Sequence, residues 1–136
     1  MHKKVKPILI TIIVFVFIFM GAKFISKELD DMCGNDIKQK VSSPNGENVA
    51  YIFERSCGAT TGFSPQLSII SSDKNFPNKS GNAFRFDGKF SVEWINENTL
   101  RIIYDKSSEK PYKMGKKMND INVLYETRKL NHTDFD

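Results

Sequence analysis

The stretch FSVEWINENTLRIIY, residues 90–104, alternates apolar and polar side chains on both sides of a short polar turn at residues 96–98. A period of two residues is typical of a β-strand, because successive side chains point to opposite faces. The pattern therefore predicts a β-hairpin, with Trp94 and Tyr104 in the core or in cross-strand pairs. Its apolar face would be formed by Phe90, Val92, Trp94, Leu100, Ile102 and Tyr104.

Further alternating segments lie on either side of this hairpin. Ser43-Pro44-Asn45-Gly46 is a turn signal that leads into residues 49–53, in which Val49, Tyr51 and Phe53 share one face. No segment after residue 30 has a convincing helical period. The predicted fold class is all-β, a small antiparallel sandwich or half-barrel of six or seven strands. Other predicted strands cover residues 66–70, 84–86 and 121–127.

The N-terminal residues 8–22, ILITIIVFVFIFMGA, are apolar on all sides, with Thr11 as the one polar member. A helix over residues 8–25 is just long enough to span a bilayer if Lys23 and Lys27 reach up to the headgroups. We therefore predict one transmembrane helix, which contacts the lipid bilayer through residues 8–25. A cleaved secretory signal is the alternative, since its apolar core has about 7–15 residues, but Met20-Gly21-Ala22 lacks the small residue such a site needs first. A soluble helix is a third alternative, and it would need a polar stripe.

The basic residues are unevenly distributed along the chain. Five of the 20 basic residues and none of the 16 acidic ones lie in residues 1–27, which leaves 15 basic against 16 acidic residues in the remainder. The net charge of +4 is therefore a topology signal, and no nucleic-acid binding is predicted. Lysines ahead of the span favour a cytoplasmic N-terminus and an exported C-terminal part. The predicted layout is a cytoplasmic segment 1–7, a transmembrane helix 8–25, a tether 26–32, an extracytoplasmic β domain 33–130 and a flexible tail 131–136.

Cys33 and Cys57 are the two cysteines of the chain, and both lie on the predicted exported side. In an oxidising compartment such a pair most simply forms a disulfide. Closing this loop would stabilise the domain by about 3.5 kcal/mol in the chain-entropy model. The alternative is two reduced, buried thiols.

Few residues of the predicted domain could carry catalysis. The histidines are His2 and His132, near the two ends of the chain, so Ser-His and Cys-His pairs or a histidine-ligated zinc site are not supported. Glu54 and Glu93 lie on predicted strands and could pair for acid–base chemistry, although such residues more often face solvent or pair with Arg55 or Arg101. We predict no catalytic residue, no metal and no cofactor.

The loop CGATTGFS, residues 57–64, is rich in glycine and threonine. It could present backbone N–H groups and hydroxyls to a ligand. The simpler interpretation is that Cys57 is tied to Cys33, that the glycines adopt positive φ, and that Phe63 fills the core.

The loop 106–117 is the most basic segment outside the N-terminus. Near a membrane it could contact anionic headgroups or an anionic envelope polymer, whereas most charged loops are simply solvated. The candidate surface-binding residues are Lys106, Lys110, Tyr112, Lys113, Lys116 and Lys117.

Three short motifs follow one another along the predicted domain: Cys33-Gly34-Asn35, Ser43-Pro44-Asn45-Gly46 and Arg55-Ser56-Cys57-Gly58-Ala59-Thr60-Thr61-Gly62-Phe63. They resemble the motifs of a family of small bacterial exported proteins of unknown function. The resemblance covers most of residues 33–126, including Gly81-Asn82-Ala83-Phe84 and the hairpin from Trp94 to Tyr104. It implies an extracytoplasmic domain in which Cys33 and Cys57 are characteristic positions, and it implies no catalytic activity.

These observations favour a single-pass cell-membrane protein with a non-catalytic extracytoplasmic domain that binds or shields a partner. The expected partners are an anionic envelope polymer or a surface protein. Two alternatives remain open at this point: an envelope thiol–disulfide enzyme that uses Cys57, and an immunity or exclusion factor against a toxin.

Overall fold

A computed structural model of the chain describes residues 2–58, 62–106 and 110–129, and of residues 2–4 and 26–31 it describes the backbone alone. One N-terminal helix is followed by strands, so the all-β class with a single helix is confirmed. Nine strands are described rather than six or seven, because the strand at residues 34–42 is exposed without alternation and the two-residue pairings at 113–114 and 117–118 are too short to give a sequence pattern. The elements are α1 (His2–Asp31), β1 (Gly34–Ser42), β2 (Asn48–Ser56), β3 (Ser64–Ser71), β4 (Phe84–Arg85), β5 (Phe90–Asn96), β6 (Thr99–Tyr104), β7 (Lys113–Met114), β8 (Lys117–Met118) and β9 (Ile121–Thr127).

The strands form two sheets that enclose one hydrophobic core. Sheet A has the order β1-β2-β3-β4-β7, and sheet B has the order β5-β6-β9-β8. Side chains from both sheets meet between them, as in a sandwich. The buried cluster contains Ala50, Leu67, Ile69, Ala83, Phe84, Phe86, Phe90, Leu100, Ile102, Ile121 and Val123.

The hairpin predicted from residues 90–104 is present as β5 and β6. Phe90 lies opposite Tyr104 and Trp94 lies opposite Leu100, so the expected cross-strand pairs are confirmed. Trp94 also joins the two sheets, because its indole Nε1 donates a hydrogen bond of 2.9 Å to the carbonyl oxygen of Val41 in β1.

The sequence predicts antiparallel strands throughout, but sheet B also contains one parallel pair of strands. β9 runs parallel to β6, because between them the chain adds β7 to sheet A and returns to sheet B through β8. Such a crossover needs a dozen or more residues, and this connection supplies them. Tyr125 of β9 holds the crossover, since its hydroxyl donates to the carbonyl oxygen of Gly115 at 2.5 Å. Burial, with Tyr104 nearby, raises the pKa of Tyr125 to about 12, so this hydroxyl stays a donor at neutral pH.

β1 was not predicted as a strand, because nearly all of its side chains are exposed and show no alternation. It is an edge strand that pairs with β2 along its length. The predicted turn between them is present: the amide of Gly46 donates to the carbonyl of Ser43 at 2.9 Å. Gly46 has a φ of +72°, which glycine adopts without steric cost.

The two faces of sheet A are covered differently. Ile52, Leu67 and Phe84 lie opposite one another across the strands and face the core. Tyr51 and Phe53 share the other, outer face, where Phe76 packs against both rings at centroid distances of 4.6 and 5.0 Å.

Helix α1 contains one segment long and apolar enough to cross a membrane, Val5–Ile25, and none of that segment is buried. The helix continues to Asp31, so the backbone of residues 26–31, predicted to belong to a tether, is helical. The predicted flexible tail, residues 131–136, lies outside the described residues.

Candidate functional site

The predicted disulfide is present: Cys33 and Cys57 are bonded, with their Cα atoms 3.9 Å apart. Gly34 and Ser56 are the neighbouring register pair, so the bond closes the open end of the β1–β2 hairpin. Gly58, directly after Cys57, has a φ of +122°, as expected for a glycine in this loop. The disulfide thus fastens the edge strand of sheet A two residues after helix α1 ends.

A cleft lies beside the disulfide on the outer face of sheet A. In the sheet register Arg55 lies opposite Ser64, and Arg85 lies opposite Gln66. Directly opposed residues share a face, so two guanidinium groups from β2 and β4 flank β3 on the same side. We call this cavity of about 290 Å³ the arginine cleft; it is lined by Cys33, Arg55, Cys57, Gly62, Ser64, Gln66, Ser80 and Arg85.

Arg55 is 7% exposed and is held by neutral groups. Its Nη1 donates to the side-chain oxygens of Asn35 and Asn78, at 2.8 and 3.0 Å. Asn78 in turn donates from Nδ2 to the carbonyl of Cys33 at 2.8 Å. Arg55 therefore ties the hairpin to the loop 72–82, and its positive charge is not neutralised by a described carboxylate.

Arg85 is the least satisfied polar side chain of the described residues. Its Nε is buried and has no hydrogen-bond partner among them. A buried donor without a partner costs about 1–3 kcal/mol. Lys113 lies directly opposite Arg85 in the register, so a second cation stands on the same face.

A second recess of about 250 Å³ continues from the arginine cleft and shares Gly62, Ser64 and Arg85 with it. Its other lining residues are Phe63, Asp87 and Tyr112. Phe63 is 71% exposed, so the expectation that it fills the core is wrong: it precedes β3 and stays outside the sandwich. Residues 59–61, in the middle of the glycine- and threonine-rich loop, lie outside the described residues.

The loop 72–82 forms one wall of the arginine cleft through Ser80. It is pinned to polar side chains of β3: Gln66 Oε1 accepts the amide of Gly81 at 2.6 Å, and Ser68 Oγ accepts the amide of Asn82 at 3.1 Å. A Cβ at residue 81 would lie 2.7 Å from the carbonyl oxygen of Leu67, so the close approach of loop and strand requires Gly81.

The predicted surface-binding residues are all exposed, but only Tyr112 and Lys113 lie next to the cleft or its adjoining recess. Tyr112 lines the second recess, and Lys113 is the partner of Arg85 in the sheet. Lys117 Nζ lies 3.9 Å from Asp120, a weak surface pair. Lys106, Lys110 and Lys116 line neither cavity and form no ion pair with a described residue.

The two carboxylates considered for acid–base chemistry lie on different sheets. Glu93 of β5 pairs with Arg101 at 3.3 Å, one of the two outcomes expected for it. Glu54 of β2 pairs with Lys38 at 3.6 Å and not with Arg55. Hydrogen bonding and attraction from Asp36, with a further contribution from Glu54, raise the pKa of Lys38. Within residues 2–58, 62–106 and 110–129, no group of three His, Cys, Asp or Glu side chains is placed to hold a metal ion.

Comparison of the chain with protein-family models, with curated proteins and with solved structures finds no match.

Proposed function

We propose that this chain is a single-pass membrane protein that holds a non-catalytic β domain outside the cell, where the domain binds an anionic envelope component. The observation that carries the proposal is the combination of α1 with the disulfide. The side chains of Val5–Ile25 are covered by no other part of the described chain, and Cys33 is oxidised only a few residues further on. Lipid is the solvent that suits such a helix, and disulfides persist in oxidising compartments.

The contents of the cleft support binding rather than catalysis. Its charged side chains are arginines, and a guanidinium stays protonated at any physiological pH. Arginine therefore attracts and orients anions but does not act as a general base. The histidines of the sequence, His2 and His132, lie near the chain ends, remote in sequence from the residues that line the cleft.

The charge distribution supports an anionic partner. Lys106, Lys110, Lys113 and Lys116 are exposed and form no ion pair with a described carboxylate. Each lysine near an anionic surface contributes about 1 kcal/mol to attraction. The partner surface consists of these lysines with Lys117 and Tyr112.

Protease treatment of intact cells tests the topology. We expect a C-terminal epitope tag to be lost from intact cells, because the domain is exported. The variant Lys3→Glu, Lys4→Glu, Lys6→Glu removes the charge difference across the span and should increase the fraction of protected tag. Protection of the unmodified chain until the cells are lysed would overturn the proposal.

Binding of anionic polymers by the full chain in zwitterionic nanodiscs tests the partner. We expect poly(glycerol phosphate) to bind and neutral dextran not to bind. Replacing Lys110, Lys113 and Lys116 by Gln should weaken binding roughly a hundredfold, from about 1 kcal/mol per lysine. The matched control replaces the exposed Lys40, Lys74 and Lys89 by Gln, with the same change in net charge; equal losses in both variants would reject the lysine surface as the binding site.

A thiol–disulfide enzyme is the second candidate, because Cys57 lines the arginine cleft beside Arg55. A neighbouring guanidinium favours the thiolate, which is the nucleophile of disulfide exchange. In that case the reduced pair would pass two electrons to a substrate disulfide and form the Cys33–Cys57 bond. Thiol trapping on intact cells separates the candidates: one fully oxidised population supports the binding domain, and a mixture of redox states supports the enzyme.

A further inference from the structure

We propose that the arginine cleft is a binding site for the phosphate group of an anionic phosphodiester, held by Arg85 and Arg55 with its organic part toward Phe63 and Tyr112. The inference rests on the proposed function for the side of the membrane on which the ligand is met. The proposed site is distinct from the exposed lysines, and its ligand belongs to a stated chemical class.

Uncompensated charge is the first argument for an anion in this cleft. Arg55 is buried and Arg85 is partly buried, and neither forms an ion pair with a described carboxylate. Asp87 is the acidic residue in the lining of the adjoining recess; its Oδ1 accepts a hydrogen bond from Ser64 at 3.4 Å, and it forms no ion pair with Arg85. Two cations at the edge of a low-dielectric domain attract an anion much more strongly than two exposed lysines would.

The unpartnered donor is the second, independent argument. Buried polar groups in folded proteins nearly always have a hydrogen-bond partner, and an exception calls for an explanation. The Nε of Arg85 is such an exception among the described residues, and Arg85 lines both the cleft and the adjoining recess. An anion bound at the accessible part of the same guanidinium would offset the cost of this unpaired donor.

The arrangement of donors favours phosphate over carboxylate. One guanidinium fork satisfies the two oxygens of a carboxylate, whereas a phosphate group has oxygens for donors from several directions. Here Arg85 and Arg55 stand on different strands, with the hydroxyls of Ser64 and Ser80 also in the lining. A cavity of about 290 Å³ leaves room for the ester substituents, and Phe63 and Tyr112 give the adjoining recess two exposed rings.

The position of the cleft along the chain places it close to two sources of phosphodiesters. Residues 26–31 extend the helix by about 9 Å beyond Ile25, and two further residues reach at most about 7 Å to Cys33, which lines the cleft. The cleft therefore lies just above the headgroup region, where lipid phosphates and membrane-proximal phosphodiester polymers are both available. The shared chemistry is the phosphate group.

Titration of the full chain in phosphatidylcholine nanodiscs with glycerophosphoglycerol, a soluble anionic phosphodiester, tests the site. The NMR signal of the Arg85 Nε–H group is the readout, because it shifts when an anion is bound by the same guanidinium. We expect saturable binding of glycerophosphoglycerol with at most a tenth of that affinity for acetate. Arg85→Gln should weaken binding at least tenfold, measured by calorimetry, and Arg85→Lys should give an intermediate loss because the charge remains but the fork is absent.

Two matched controls test whether the loss of binding depends on the cleft rather than on net charge. Arg101→Gln makes the same charge change on sheet B, and the variant Lys106→Gln, Lys110→Gln, Lys116→Gln removes three exposed lysines that line neither cavity; both should bind glycerophosphoglycerol within twofold of the unmodified chain. Nanodiscs that contain phosphatidylglycerol identify the source: a signal already shifted before any addition indicates the lipid headgroup, and an unshifted signal that moves with glycerophosphoglycerol indicates a soluble phosphodiester.

The proposal is overturned if the signal does not move in either nanodisc, if acetate binds as tightly, or if Arg85→Gln leaves the affinity unchanged. None of these measurements depends on topology. A phosphate site in a chain whose tag is protected from protease contradicts the proposed function alone, and an exported domain without phosphate binding contradicts this inference alone.

Discussion

The arginines on the outer faces of the two sheets differ in their partners. On sheet B, Arg101 pairs with Glu93 through Nη1 at 3.3 Å and with Glu126 through Nε at 3.6 Å. On sheet A, Arg55 is held by two neutral asparagines and the Nε of Arg85 has no described partner. One face pairs its arginine with carboxylates, and the other carries two arginines that form no ion pair with a described carboxylate.

The difference has an energetic cost, because Arg55 is buried whereas Arg101 is partly exposed to water. The side chain of Arg101 is 35% exposed and its partners are 56% and 40% exposed, so water solvates the whole network. Arg55 is 7% exposed, and removing a cation from water costs several kcal/mol unless it is compensated. Arg55 is partly compensated by its hydrogen bonds to Asn35 of β1 and Asn78 of the loop 72–82, whereas Arg85 contributes no such bond among the described residues. Arg85 is therefore the residue for which a role in binding, rather than in folding, best accounts for its position.

The largest effect is expected from removing the bond that fastens sheet A. The double variant Cys33→Ser, Cys57→Ser should lower the free energy of unfolding by about 3.5 kcal/mol, because the unfolded chain regains the entropy of the open loop. Urea unfolding followed by the fluorescence of Trp94, the single tryptophan, measures the loss.

Hydrogen exchange shows whether that loss is confined to one sheet. Amides of β1 and β2 should lose protection first, since the bond closes their open end, while β5 and β6 should exchange only by global unfolding. Equal loss of protection in both hairpins would mean that the sheets do not differ in the way described.

The next effect is expected at Arg55. Arg55→Met should lower the free energy of unfolding by about 1–3 kcal/mol, because the side-chain oxygens of Asn35 and Asn78 lose their charged donor in a partly buried site. The measurement is again urea unfolding. A variant as stable as the unmodified chain would show that these hydrogen bonds do not hold the loop 72–82.

Arg85 should respond with the opposite sign. Arg85→Met removes an uncompensated buried donor and keeps much of the side-chain volume, so the free energy of unfolding should stay the same or rise by up to about 1 kcal/mol. Phosphate binding should be lost in the same variant. A fall of more than about 1 kcal/mol would assign Arg85 a structural role and weaken the contrast with Arg55.

The sequence predicts the apolar half of this molecule well. The alternation in residues 90–104 identifies both strands of the hairpin and its apolar face, whereas the register, with Phe90 opposite Tyr104, comes from the structure. The apolar run of α1 and the pairing of Cys33 with Cys57 are likewise readable, because composition and compartment decide them. Strands held by backbone pairing alone are not readable: β1 is exposed along its length, and β7 and β8 have two residues each.

The arginine cleft is not predictable from the sequence, for a related reason. It is assembled from β2, β3, β4 and the loop 72–82, with both cysteines and Gly62, so the residues that meet there are separated along the chain. The local signal is a charge beside aromatic residues: Arg85 stands between Phe84 and Phe86, and Arg55 shares its strand face with Phe53. Sequence alone pairs Glu54 with Arg55 as neighbours, yet consecutive strand residues face opposite sides of a sheet, and Glu54 instead meets Lys38.

The smallest effect is expected on sheet B, where the charges are already paired. Arg101→Gln should lower the free energy of unfolding by less than about 1 kcal/mol, because exposed ion pairs contribute little. Raising the salt concentration to 1 M should shrink even this difference, since the Debye length falls to about 3 Å. In the same urea series, the effects of Arg55→Met and Arg85→Met should change little with salt, because they arise from hydrogen bonds and burial. A large, salt-independent loss for Arg101→Gln would place the structural arginine on sheet B and reverse the contrast between the two faces.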